Sequence, residues 1–246
     1  MSAPTDRTYR ILLRLVRFLL HLCTRREQYG EEHLPSSGPV IVVGNHVSVA
    51  DAFVLVTTIA RCGRRIRMLG TGGLFGAPVV GWILRHAGYV PVYRRSEDPA
   101  AALAPARAAL ERGDVVGLYP EGGITRDPDH WPVRGKTGVV RLALDTGAPV
   151  VPLAQWGTHR FVGAEGTRWR ALLSPVVRPR ITVSLGAPLE MRALLGVGSA
   201  AEATPEQLRA GADAVMAALV SLVAGLRGEQ PPARAGREPN PEKAAA

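Results

Sequence analysis

His46 and Asp51 are the residues of this chain whose types and spacing carry the clearest chemistry. An imidazole paired with a carboxylate has one ring nitrogen fixed by a hydrogen bond, and the other is left to take a proton. The pairing requires Asp51 to fold back towards the ring, which it can do from the first turn of a helix opened by Ser48. The flanking elements are readable. Val40-Ile41-Val42-Val43 is an apolar, β-branched run between Ser37-Gly38-Pro39 and Gly44, and reads as a buried strand. Ala52 to Ala60 reads as a helix packed back on the sheet. Asn45 and His46 therefore sit in a strand-to-helix turn, where open α/β sheets place their chemistry. An Asp at that position also serves the helix dipole, so spacing alone leaves both readings open.

Further along, two more strand ends carry charge. Gly88 to Arg95 is a strand ending in Arg94 and Arg95, which could grip an anionic group bidentately. Val115 to Tyr119 is a strand running into Pro120-Glu121-Gly122-Gly123-Ile124-Thr125-Arg126. The two glycines let backbone approach a ligand, and Glu121 and Arg126 place a carboxylate and a guanidinium at the same edge. Lys136 stands in Arg134-Gly135-Lys136-Thr137, a fragment of a phosphate-binding loop whose earlier glycine is replaced by His130, so no P-loop is present. Likewise Phe75 breaks the dinucleotide pattern in the glycine-rich stretch 70–76.

The 246 residues, 46% hydrophobic and 21% charged, suit one substantial α/β core. Two cysteines fit neither a disulfide framework nor a zinc site, and no metal ligand cluster is visible. Within the net charge of +9, residues 1–26 hold six arginines against Asp6. Arg7, Arg10, Arg14, Arg17, His21 and Arg25 form one helical stripe, with Ile11, Leu12, Leu15, Val16, Leu19 and Leu20 on the other side. The arginines interrupt the apolar run well short of a bilayer span. A basic amphipathic helix in the membrane interface is the favoured reading, over one that only packs on its own domain. The basic residues lack stacking aromatics, which argues against nucleic acid. Expected further elements are a strand within 28–34, a second core strand at 66–69, helices at 78–86, 100–112 and 138–145, strands at 150–155 and 180–185, and a helix begun by Thr204-Pro205. The expected organisation is an interfacial helix in 1–29, one domain over 30–227 and a disordered tail over 228–246.

Asn45-His46 with Asp51, an N-H-x-x-x-x-D pattern, resembles the signature of the glycerophospholipid acyltransferase family. Three later blocks fall in that family's order: Gly88 to Arg94, Tyr119-Pro120-Glu121-Gly122, and Val150-Val151-Pro152-Leu153. Lys136 with Gly138 matches the lysine-containing helix start usually found between the last two. The family's third block usually runs Glu-Gly-Thr-Arg, whereas Arg126 lies five residues after Glu121. The resemblance implies a mixed, mostly parallel sheet flanked by helices. It implies acyl transfer from acyl-CoA, or acyl carrier protein, to a lipid hydroxyl, foremost that of 1-acylglycerol-3-phosphate. In that reading His46 is the base and Asp51 its partner. Asn45, Arg94, Glu121, Gly122, Gly123, Arg126 and Lys136 hold substrate, Ser48 is structural, and no metal or cofactor is needed. The implied setting is peripheral, on the cytoplasmic face of the cell membrane. Rival expectations are transfer to another lipid or glycolipid acceptor, and a non-catalytic membrane-binding protein that keeps the fold.

Overall fold

In β2 (Val40–Gly44) every residue is buried, as expected of a β-branched run with no polar face. It lies inside the sheet of the computed structural model, which describes residues 6–76, 78–86, 89–92, 99–162 and 176–237. The other strands among the described residues are β1 (Arg25–Tyr29), β3 (Ile66–Thr71), β4 (Val90–Val92), β5 (Val115–Leu118), β6 (Val150–Trp156) and β7 (Arg180–Leu185). The sheet order is β1-β7-β6-β2-β5-β3-β4. Strand β2 runs parallel to both β5 and β6, with Val43 opposite Leu118 and Gly44 opposite Leu153. Among the described strands, the β6–β7 pairing is antiparallel and the others are parallel.

Alternation along β2 divides the core in two. Val40 and Val42 join Val54, Leu55 and Ile59 of α2 (Asp51–Arg61) and Leu20 of α1 (Asp6–Cys23). Ile41 and Val43 face the opposite layer, which contains residues of α4 (Pro99–Glu111) and α5 (Gly138–Thr146); α3 spans Pro78–His86. Two short helices, α6 (Thr158–Phe161) and α7 (Met191–Leu195), precede the long α8 (Pro205–Arg227). Thr204 caps α8 by accepting from the Gln207 N–H at 3.2 Å, while Gln207 Oε1 accepts from the Thr204 N–H at 2.9 Å. Helix α8 is long and apolar enough to cross a membrane by composition. Its Leu208, Val215, Leu219 and Val223 are nevertheless buried, against the sheet and α5.

The loop after β2 leads to α2 on one face, and the loop after β5 leads towards α5 on the other. Adjacent strands whose connections leave on opposite faces open a crevice at their carboxyl ends. His46 stands at that crevice.

Three expectations are corrected by the fold. The strand expected within 28–34 is Arg25–Tyr29, paired with β7, and Glu31–His33 is a 3-10 turn. Gly30 makes the break: its φ is +73°, and a Cβ there would meet Leu185 O at 2.1 Å. Residues 25–29 therefore belong to the sheet rather than to an N-terminal helical unit. The described part of the tail is also folded, although it lacks apolar periodicity. Arg234 pairs with Asp127 at 2.6 Å, Gly236 N–H donates to Pro132 O at 2.7 Å and Arg134 N–H to Arg237 O at 3.0 Å. Polar latches hold this segment, which is why a search for hydrophobic spacing passes over it.

Helix α1 packs one part of its apolar surface on the domain and leaves another part uncovered. Tyr9 and Leu20 are buried on the domain, while Ile11, Leu15, Phe18, Leu19 and Leu22 are exposed. Spacings of three and four residues put the exposed set on one stripe beside the arginines.

Candidate active site

The local chain after β2 builds the dyad. Asp51 is the first residue of α2, with Ala50 rather than Ser48 at the cap position. Its Oδ2 accepts from the Val47 N–H at 2.6 Å and the Ser48 N–H at 2.7 Å, and lies 3.0 Å from His46 Nδ1. A fully buried carboxylate needs such donors, and the helix start adds a favourable dipole. The carboxylate fixes the ring with Nδ1–H towards Asp51, which leaves Nε2 as the basic atom. Ser48 Oγ accepts from the Ala50 N–H at 3.0 Å and donates to Val162 O, so its hydroxyl is committed to the turn.

The loop after β5 holds His46 from the other side. His46 N–H donates to Glu121 Oε1 at 3.1 Å, and His46 O accepts from the Thr125 N–H at 2.7 Å. Glu121 Oε2 accepts from the Val133 N–H at 3.0 Å. Burial pushes the Glu121 carboxyl up to about 7, against the lowering effect of the Val133 and His46 N–H groups. Tyr119 stacks on the imidazole at 4.0 Å between ring centroids and 11° between planes. Gly44, the last residue of β2, admits that ring: a Cβ there would lie 3.0 Å from both Tyr119 and Leu55.

His46 opens onto a cleft of about 290 Å³ lined also by Leu69, Leu103, Tyr119, Gly122, Gly123 and Lys136. Gly122 has φ +81°, and a Cβ there would come within 3.0 Å of Lys136 Nζ, so the ammonium lies over the glycine turn. Apolar walls with one cation and one base suit a substrate that is part lipid and part anion.

The comparisons with known proteins fall on this same stretch. The Acyltransferase family model matches residues 25–156, just over half of the chain, from β1 to the end of β6. The chain belongs to the Acyltransferase family. It is 34% identical over 143 residues to a 1-acyl-sn-glycerol-3-phosphate acyltransferase of Brassica napus, covering 56% of this chain and 39% of that protein. It is 32% identical over 133 residues to the Borreliella burgdorferi protein of the same name, covering 54% of this chain and 51% of that one. The chain thus spans about half or less of these relatives. The crystal structure of the acyltransferase PlsC from Thermotoga maritima shares the fold, with a TM-score of 0.65 at 23% identity over 92% of this chain and 85% of that one.

Within this acyltransferase fold, the expected site residues divide. His46, Gly122, Gly123 and Lys136 line one cleft, and Asp51 supports His46 from behind. Asn45 does not reach the cleft. It is fully buried, its Oδ1 accepts from the Gln155 N–H at 2.8 Å and its Nδ2 donates to Gln155 O at 3.0 Å. Asn45 therefore ties the turn after β2 to β6 through its side-chain amide. Both Glu121 oxygens accept from backbone N–H groups, one of them that of His46, so its carboxyl helps to position the His46 turn. Gly122 N–H closes the turn onto Tyr119 O at 3.0 Å, which takes away one of the two backbone donors expected there. Arg126 is exposed and is not among the cleft-lining residues. Arg94 lies outside the described residues. Among the described residues no group of three or more His, Cys, Asp or Glu could hold a metal. Tyr119 as a stacking partner, Gln155 and the Val133 N–H have no signal in the sequence, because each acts across the sheet or from a distant loop.

Proposed function

We propose that the protein transfers an acyl group from acyl-CoA, or from acyl carrier protein, to the free hydroxyl of a 1-acylglycerol-3-phosphate, making phosphatidic acid. The observation that carries this is the Asp51-bound His46 sharing one cleft with Lys136. An alcohol is a poor nucleophile at neutral pH until its proton is removed in the transition state. Nε2 of His46 takes that proton as the hydroxyl oxygen attacks the thioester carbonyl. Asp51 stabilises the imidazolium that forms, and the stacked Tyr119 ring holds its plane. The tetrahedral intermediate collapses with cleavage of the carbon–sulfur bond. The thiolate that leaves takes the proton back from His46, so the base is restored. A thioester is already activated, so the scheme needs no enzyme nucleophile and no metal or cofactor.

Lys136, which lines the cleft, is the first candidate for the acceptor phosphate, and Arg94 and Arg126 are further candidates by their position in the chain. The Gly123 N–H is the donor at the turn for the anionic carbonyl oxygen. The names of the Brassica and Borreliella relatives support this choice of acceptor. The exposed apolar stripe of α1 supports a peripheral setting on the membrane, where the lipid acceptor and product reside. The proposed side is the cytoplasmic face.

An acceptor panel with one acyl-CoA tests the assignment. Lysophosphatidic acid should be the best acceptor, ahead of monoacylglycerol, lysophosphatidylcholine and a glycolipid. Lys136→Ala should lower kcat/KM for lysophosphatidic acid by roughly ten- to a hundredfold, the value of a charge-assisted contact. It should leave monoacylglycerol turnover nearly unchanged. A faster reaction with a glycolipid would move the assignment to that acceptor, and failure with every acceptor would favour a non-catalytic membrane-binding protein.

A further inference from the structure

A second basic feature lies away from the catalytic cleft. Between the end of α1, the start of β1 and the end of α2 is a cavity of about 520 Å³, lined by Arg17, Arg25, Arg26, Arg61 and Arg178 together with His21 and Phe18. None of the described residues lining it is acidic. Glu31, outside the lining, lies 3.9 Å from Arg61, with both side chains about half exposed.

The cavity is a built structure. Arg26 donates to Thr57 Oγ1 at 2.7 Å and Thr58 Oγ1 at 2.9 Å, fixing its guanidinium against α2. Arg178 donates to His21 O at 2.8 Å, from a backbone with φ +42°, a conformation costly for any residue but glycine. The Nε atoms of Arg26 and Arg178 are both buried without a hydrogen-bond partner. Burial, with Arg61 and Arg17 close by, lowers Arg26 to about 10. Like charges gathered in a partly buried cavity are unfavourable until an anion joins them.

The neighbourhood says which anion. Phe18 lines the cavity and belongs to the exposed stripe Ile11, Leu15, Phe18 and Leu22 on α1. A phosphate in the cavity would thus have apolar surface beside it, the arrangement of a headgroup and its acyl chains.

We propose that this arginine cavity binds the phosphate of an anionic phospholipid of the membrane, as a site separate from the catalytic cleft. The proposal rests on the interfacial reading of α1. Bound there, a lipid would fix α1 and the domain in one orientation on the bilayer.

The test uses the full chain and vesicles of phosphatidylcholine, with or without one third phosphatidylglycerol. Arg17→Gln/Arg61→Gln should lower affinity for the anionic vesicles about tenfold or more. Arg7→Gln/Arg14→Gln removes the same amount of charge, from the basic stripe of α1 outside the cavity, and should cost clearly less. Equal losses in the two variants would reduce the effect to general charge attraction and overturn the site. Absence of binding by the unmodified protein would overturn both the site and the interfacial reading, yet leave acyl transfer in micelles standing. Calorimetry with CoA alone supplies the last arm: binding abolished by Arg17→Gln/Arg61→Gln would assign the cavity to a soluble phosphate and overturn the lipid proposal.

Discussion

Glu121 shows how a buried carboxyl ties the site to pH. Its oxygens accept from the His46 and Val133 N–H groups, so its carboxyl joins the two loops that frame the cleft. Burial raises it from 4.5 to about 7. A carboxyl whose folded value is raised favours the protonated folded state, so its contribution to stability is complete below the unfolded value and is lost as pH rises through about 7. Denaturant unfolding should therefore show a fall in stability across this window that shrinks in Glu121→Gln. An unchanged pH slope in the variant would show that Glu121 is not the group responsible. Residues that act within a few positions of one another, as His46 and Asp51 do, are legible from spacing because the strand-turn-helix that joins them is local. Asn45 is not legible in that way. Its partner Gln155 is on a neighbouring strand, and a polar residue beside a candidate base reads as a substrate ligand until the sheet order is known.

Among the elements, strands were the more readable because β2, β5 and β6 are buried on both faces and so stand out as apolar runs. Strand β1 is hard to locate from sequence because Arg25-Arg26-Glu27-Gln28 has no apolar pattern; its pairing with β7 is what makes it a strand. Helix α1 shows the limit of a hydrophobic face read from periodicity. The pattern identifies the face, but only packing tells which part of it the domain covers. Ile11 and Leu15 are about half exposed, whereas Leu20 is buried. Ile11→Gln/Leu15→Gln should leave stability within about 0.5 kcal/mol. Removing two side chains of this size from an apolar interface should weaken vesicle partitioning by about a hundredfold. A large loss of stability instead would mean that the stripe serves the fold.

For the whole molecule, the mixed sheet brings together blocks far apart in the chain: the turn after β2, the loop after β5 and the lysine before α5. Their order along the chain carried the family resemblance, and the crevice between β2 and β5 explains why those blocks meet. The folded part of the tail, latched through Asp127 and Arg234 to the same loop that contains Glu121, was hidden because ion pairs leave no periodicity. The central claim is that His46, held by Asp51, deprotonates the acceptor hydroxyl in an acyl transfer. The most direct measurement is radiolabelled acyl transfer from oleoyl-CoA to lysophosphatidic acid in mixed micelles, with unmodified protein and His46→Ala side by side. Loss of a general base costs about 10²–10⁴-fold, so the unmodified protein should form labelled phosphatidic acid and the variant almost none. Equal product from both would contradict the account, since the reaction would then proceed without the base that the site is built around.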